Sequence, residues 1–152
     1  NIARNDTLDS RVLFEEPLLL ALPAGHALER ARQVRMDDLR HERFIVLREE
    51  HCLSGVVRGF CQHNELTPNV LCTGTQIHTV LNLVAAGLGI SLVPAMAGHQ
   101  SLPAGLILRS LGEAAPRRTI MAYWAKAGRE TPVAAKLLTL LRGGVTPTTL
   151  AA

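Results

Sequence analysis

Taken by its apolar positions alone, the chain alternates short apolar runs with longer stretches in which apolar residues recur every three or four places. Residues 12–14 (VLF) precede Glu15-Glu16-Pro17, and residues 18–22 (LLLAL) are wholly apolar, as in a strand covered on both faces. Pro23-Ala24-Gly25-His26 reads as the turn that ends this run. Asp37-Asp38-Leu39 opens a short helix, and residues 43–47 (RFIVL) form the next strand. Leu53, Val56, Val57, Phe60 and Cys61 then fall at the spacing of a helix that buries one face, with Ser54 as its N-cap and Thr67-Pro68 as its stop. A strand follows at 69–73. A strong helix at 76–86 presents Ile77, Val80, Leu81 and Val84, and Gly87 stands where a left-handed C-terminal residue belongs. Residues 89–94, 106–108 and 119–124 read as strands, and 132–141 as a last helix with proline at its start. The opening NIARNDTLDS shows no element, and residues 143–152 lack periodicity and read as a flexible tail. Strands alternating with helices predict an α/β unit with a mainly parallel sheet.

Composition narrows the class. At 152 residues with 47% hydrophobic content, the chain supports about one domain with a sizeable core. The formal charge of +3 is mildly basic, the 16 Lys and Arg are scattered, and only 3% of residues are aromatic. Nothing here resembles a base-stacking surface, so direct nucleic-acid binding by this chain is not expected. No apolar run is long enough to cross a membrane, and no secretory leader is visible, so a cytoplasmic protein is expected. Three cysteines do not make a secreted disulfide framework. The first residue is Asn1, and the chain reads as a piece of a longer one.

Candidate chemistry concentrates at residues 51–61, HCLSGVVRGFC. Cys52 falls at or just before the first helical turn, where unpaired amide N–H groups and the helix dipole favour a thiolate. His51 beside it adds a donor or a positive charge. Cys61 belongs to the buried stripe about two and a half turns later. One sulfur reads as reactive and the other as packed, while Cys72 reads as a small buried residue of a strand. Thr75 precedes a helix and reads as an N-cap, or as a hydroxyl that contacts a ligand beside free helix amides. His26, His41, His63, His78 and His99 show no ligand spacing, so neither metal nor cofactor is expected. Arg117-Arg118 reads as a solvated pair. Gly87 and Gly89 read as backbone requirements, since no phosphate-loop pattern follows a strand.

Several stretches together resemble the effector-binding half of LysR-type transcriptional regulators: ALPAGHAL after a strand, RFIVL, TQIHTVLNLVAAGLGISLVPAMA and the late RRTIMAYWA. Residues 84–90 running on to Pro94 are the most specific of these. A cysteine after histidine, with a second cysteine nine residues on inside GFC, resembles the peroxide-sensing OxyR branch. The resemblance covers roughly residues 10 to 142.

It implies a periplasmic-binding-protein-like (type II) regulatory domain, represented here mainly by its second subdomain. The implied division is 1–22 for the end of the first subdomain and a crossover strand, 23–118 for the second regulatory subdomain, 119–142 for the return strand and C-terminal helix, and 143–152 for the tail. It also implies a non-enzymatic sensor. Cys52 is oxidised by peroxide, Cys61 resolves it as a disulfide, His51 orients the oxidant or stabilises the thiolate, and Thr75 faces the same cleft. Nine helical residues separate the two cysteines by about 13 Å, against the roughly 4.4–6.8 Å between Cα atoms that a disulfide requires. The pairing would therefore act as a conformational switch. Implied partners are a second copy or tetramer formed through regulatory domains, DNA held by a helix-turn-helix domain absent from this chain, and peroxide or a small effector.

The sequence also departs from that branch. Ser54-Gly55 replaces Arg-Asp, Leu71 takes the place of a site histidine and Leu81 that of an arginine. Two other functions therefore stand beside the thiol switch. One is a LysR-type domain whose cleft binds a small anionic metabolite, with Cys52 lining it. The other is a thiol peroxidase, against which stands the lack of a second catalytic constellation.

Overall fold

The computed structural model describes residues 7–48, 52–99, 101–126 and 131–144, with the backbone alone described at 52, 134 and 142–144. In chain order the elements are β1 (Leu8–Pro23), α1 (Met36–Leu39), β2 (Arg43–Leu47), α2 (Cys52–His63), β3 (Asn69–Gly74), α3 (Ile77–Ala85), β4 (Ser91–Pro94), β5 (Leu106–Arg109), β6 (Arg117–Ala125) and α4 (Pro132–Gly144). The residues fall into two compact units, one spanning Pro17–Arg117 and the other made of the segments up to Glu16 and from Arg118 onward.

In the first unit the apolar run of β1 lies between two partners. Leu18–Ala21 pair with β4 and Leu20–Pro23 with β5, both antiparallel. Strands β2 and β3 pair in parallel, and β2 also bridges in parallel to Ile90 through Phe44. The expectation of a mainly parallel sheet thus holds for β2 and β3 and fails around β1. A strand buried on both faces carries no alternation, and its sequence reads the same whichever way its neighbours run. Both faces are indeed covered. Leu18, Leu20, Leu22 and Phe44 join Leu53, Phe60 and Cys61 of α2 in one core cluster. Ala21 and Ile45 join Val80, Leu81 and Val84 of α3 in the other. The period-two alternation of β1 and β2 therefore feeds two apolar layers, one under α2 and one under α3.

Helix α3 ends as its sequence predicts. Gly87 has φ of 77°, the Gly87 amide donates to the Val84 carbonyl, and the Leu88 amide donates to the Leu83 carbonyl, which together satisfy the last orphan carbonyls. Gly89 answers a different need. A Cβ there would fall against the Arg43 carbonyl, which accepts the Ile90 amide at 2.8 Å.

In the second unit, β1 begins at Leu8, inside the stretch that showed no element, and pairs with β6. Most of its residues before Glu16 are exposed or half-buried, so no two-residue alternation marked it. On β6 burial alternates, and Arg118, Ile120, Ala122 and Trp124 share the inward face. Arg118 is therefore not solvated. Its Nη2 lies 2.6 Å from Oε1 of Glu16, and its Nε donates to the same oxygen at 2.7 Å. Glu16 is 4% exposed, and a carboxylate so buried requires a cation. Helix α4 starts at Pro132 as predicted and extends to Gly144. Among the described residues no helix is long and apolar enough to cross a membrane.

Candidate functional site

The C-terminal ends of the parallel strands organise the site. Leu47 of β2 lies opposite Gly74 of β3, and the Arg48 amide donates to the Gly74 carbonyl at 3.0 Å. From the first end the chain reaches Cys52, the first residue of α2, five residues on, a span of no more than about 18 Å. From the second it passes Thr75 and Gln76 into α3. Two helix N-termini thus follow directly from the strand ends, the arrangement in which α/β folds gather ligands and reactive groups. Gly74 makes the second turn possible, because a Cβ there would lie 2.7 Å from Cγ2 of the buried Val80.

The helix boundaries revise two expectations. Helix α2 begins at Cys52, so Ser54 is its third residue and not its N-cap. Leu53 is 4% exposed in the core cluster with Phe60 and Cys61, and burying it in helical register draws the start forward. At α3 the N-cap is Gln76, which makes no side-chain cap bond, and Thr75 sits one residue outside, exposed. His51 and the side chain of Cys52 lie outside the described residues.

Cys61 is a free thiol, 5% exposed. Burial pushes its pKa above the ordinary thiol value, so at neutral pH it is protonated and a poor first nucleophile. It lines a cavity of about 330 Å³ beneath α2, walled also by Val46, Leu47, Leu53, Val57 and Leu92. Because α2 is continuous from Cys52 to Cys61, the two Cα atoms stand about 13 Å apart at 1.5 Å per residue, and joining their sulfurs requires α2 to unravel. The free thiol of Cys72 lies on β3 as its sequence position predicts, but it is half-buried and not fully buried, packing against the edge of the other core cluster.

Sequence reasoning missed the device that ends α2. The helix stops at His63, ahead of Thr67-Pro68, and Glu65 adopts φ of 50°. The Glu65 amide donates to the Gln62 carbonyl and the Leu66 amide to the Cys61 carbonyl, while Nη1 of Arg40 donates to the Glu65 carbonyl at 2.8 Å. No glycine marks this cap, so the sequence carried no sign of it. Leu81, where the resemblance implies a site arginine, is 2% exposed within the core, and Leu71 is 44% exposed. Among the described residues no three His, Cys, Asp or Glu side chains group to hold a metal ion.

Comparison with known proteins places this geometry. The model of the LysR substrate binding domain family matches residues 2–146. The DNA-binding transcriptional dual regulator OxyR of Escherichia coli K12 is 36% identical over 109 residues, which cover 71% of this chain and 36% of that protein. The chain therefore spans about a third of the length of the curated relatives it matches first. Among solved structures, the reduced OxyR regulatory domain from Pseudomonas aeruginosa superposes with a TM-score of 0.75 at 22% identity, over 93% of this chain and 69% of that one. The effector binding domain of QuiR in complex with shikimate does so with 0.73 at 17%, over 93% and 66%. These likenesses fix a periplasmic-binding-protein-like fold, and the family model's match over residues 2–146 shows that the chain belongs to the LysR substrate binding domain family.

Proposed function

We propose that this chain is the redox-sensing part of a LysR-type transcriptional regulator, with Cys52 as the thiol that meets peroxide and Cys61 as the thiol that resolves it. The Cys52 thiolate attacks one oxygen of hydrogen peroxide, the O–O bond breaks, and a sulfenic acid forms with release of water once the leaving hydroxide is protonated. The Cys61 sulfur then displaces the sulfenic oxygen as a second water, forming the disulfide, and two thiol exchanges with a cellular reductant restore both thiols. The observation that carries this reading is the placement of the two cysteines. One opens α2 and the other is buried nine residues along the same helix, in a chain 36% identical to OxyR. The raised pKa of the buried Cys61 suits a resolving thiol, which must not compete for oxidant, and a helix N-terminus suits a sensing one. In this reading His51 orients the oxidant and Thr75 faces the same cleft. Residues 23–118 act as the second regulatory subdomain, between crossover strands within 1–22 and 119–142. The regulator assembles as a dimer or tetramer through such domains in the cytoplasm, meets DNA through a helix-turn-helix domain outside this chain, and is not an enzyme.

The test is a count of free thiols before and after about one equivalent of peroxide. The wild type and Cys72→Ser each lose two thiols, and Cys52→Ser loses none to disulfide. An unchanged count in the wild type sinks the switch. A second reading has its own support. Two helix N-termini follow the ends of β2 and β3, an arrangement suited to anions, and the QuiR effector domain holds shikimate, a carboxylate. Unchanged thiols together with tight carboxylate binding would favour that metabolite sensor.

A further inference from the structure

We propose that the cavity beneath α2 is a binding site for a small, largely apolar molecule with one polar end, and that its occupant holds α2 folded. The cavity, about 330 Å³, lies within the roughly 300–1,000 Å³ range of small-molecule sites. It is about twice the ~150 Å³ apolar void that accepts benzene, which leaves room for roughly ten to fifteen heavy atoms. Its walls largely sort by polarity, with the buried Ser91 as the polar exception. Leu53, Leu66 and Leu92 are buried and aliphatic, whereas Arg58, Gln62 and Thr67 are exposed and form a polar rim. An aromatic or branched aliphatic body would enter, leaving a carboxylate or hydroxyl at that rim.

The lining residues contributed by α2 explain the consequence. They fall in three rows, Leu53 and Ser54, Val57 and Arg58, Cys61 and Gln62, one from each successive turn. Only a helix aligns those rows, so a molecule touching all three binds the folded α2 and loses its site when α2 unravels. By linkage, occupancy then opposes any rearrangement of α2. The binding site stands on the cavity alone, whereas the restraint on oxidation rests on the thiol-switch reading.

Cys61 supplies the readout. In the Cys52→Ser/Cys72→Ser protein it is the one thiol, and its modification rate by a neutral thiol reagent is measured with millimolar 3-phenylpropionate or 3-phenylpropanol. Either probe should slow modification by about fivefold or more, and stronger protection by the carboxylate would assign the polar end to Arg58. Val70→Phe, at a half-exposed strand position on the cavity wall, should abolish protection while circular dichroism stays unchanged. Methyl resonances of Val57, Leu66 and Leu92 in the wild type, read by NMR, should shift with the probe and need no variant. Unchanged rates and unshifted methyls with both probes would overturn the site. In the wild type the probe should also slow peroxide-driven thiol loss. Loss that proceeds at full rate with the cavity occupied would overturn the restraint alone, and an absence of thiol loss would leave the site standing while removing the switch.

Discussion

Glu65 sits in the left-handed backbone region at φ of 50°, exposed, with a Cβ that this region penalises. The conformation persists because neighbours over-determine it. Its carbonyl accepts from Arg40, and its amide and that of Leu66 close the end of α2. All three are backbone bonds of residue 65 or its neighbour, so they survive a change of side chain. Glu65→Gly removes the Cβ penalty of roughly 1–2 kcal/mol and returns part of it as unfolded-state entropy, leaving a gain of about 0.5–1 kcal/mol. Urea titration of both proteins should show a higher midpoint for the variant at unchanged slope. A lower midpoint would mean that the glutamate side chain contributes more than its backbone costs. The contrast with the glycines shows what is legible at this scale. Gly87 and Gly89 both read as backbone requirements, yet the first serves a positive φ and the second a close approach to Arg43. Helical periodicity announces the first. Only the paired strands reveal the second.

Among the elements, α2 is the weak one by composition. Its twelve residues include Gly55 and Gly59, both exposed, and a Cβ at either would meet nothing within 4 Å. Each glycine costs the helix about 1 kcal/mol relative to alanine, so Gly55→Ala and Gly59→Ala should each stabilise the domain by up to that amount. If α2 must unravel for its cysteines to meet, the same substitutions slow peroxide-driven thiol loss in proportion, by about fivefold per kcal/mol. Stopped-flow oxidation of the double variant beside a denaturant titration checks both halves. Greater stability with unaltered oxidation would show that α2 does not open on that path. Elements whose two ends carried signals were well placed from sequence. Residues 43–47 match β2, and the Gln76 and Ala86 caps bracket α3 where the apolar face and Gly87 set them. Helix α2 was misplaced at both ends. Ser54 is a strong cap residue overruled by the burial of Leu53, and the true stop lies in a cap without glycine.

Across the whole molecule, the order of apolar segments was enough to reach the α/β class, while strand direction around β1 and the cavity under α2 were not legible. Both arise from elements far apart in the chain. The antiparallel pairing of Leu20 with Leu92 and Arg109, and a void shared by β2, α2 and β4, leave no local trace. The same burial map predicts where the fold is firm. Leu18, Leu20, Ala21 and Leu22 are each 0% exposed, paired with β4 over residues 18–21 and with β5 over 20–23, and apolar layers cover both faces, so their amides open only when that unit unfolds as a whole. Helix α4, considered in its own unit, buries Leu138 at 7% but leaves Val133 at 78%, Leu137 at 54%, Leu140 at 63% and Leu141 at 40% exposed. So little burial gives a helix of this length scant restraint beyond its own hydrogen bonds, which alone hold a short helix only marginally. In hydrogen–deuterium exchange read by mass spectrometry, peptides covering 17–22 should therefore remain protected long after those covering 132–141 have exchanged. Equal protection of the two would mean that the exposed leucines of α4 are covered in solution, by a further copy of the chain if the effect grows with protein concentration.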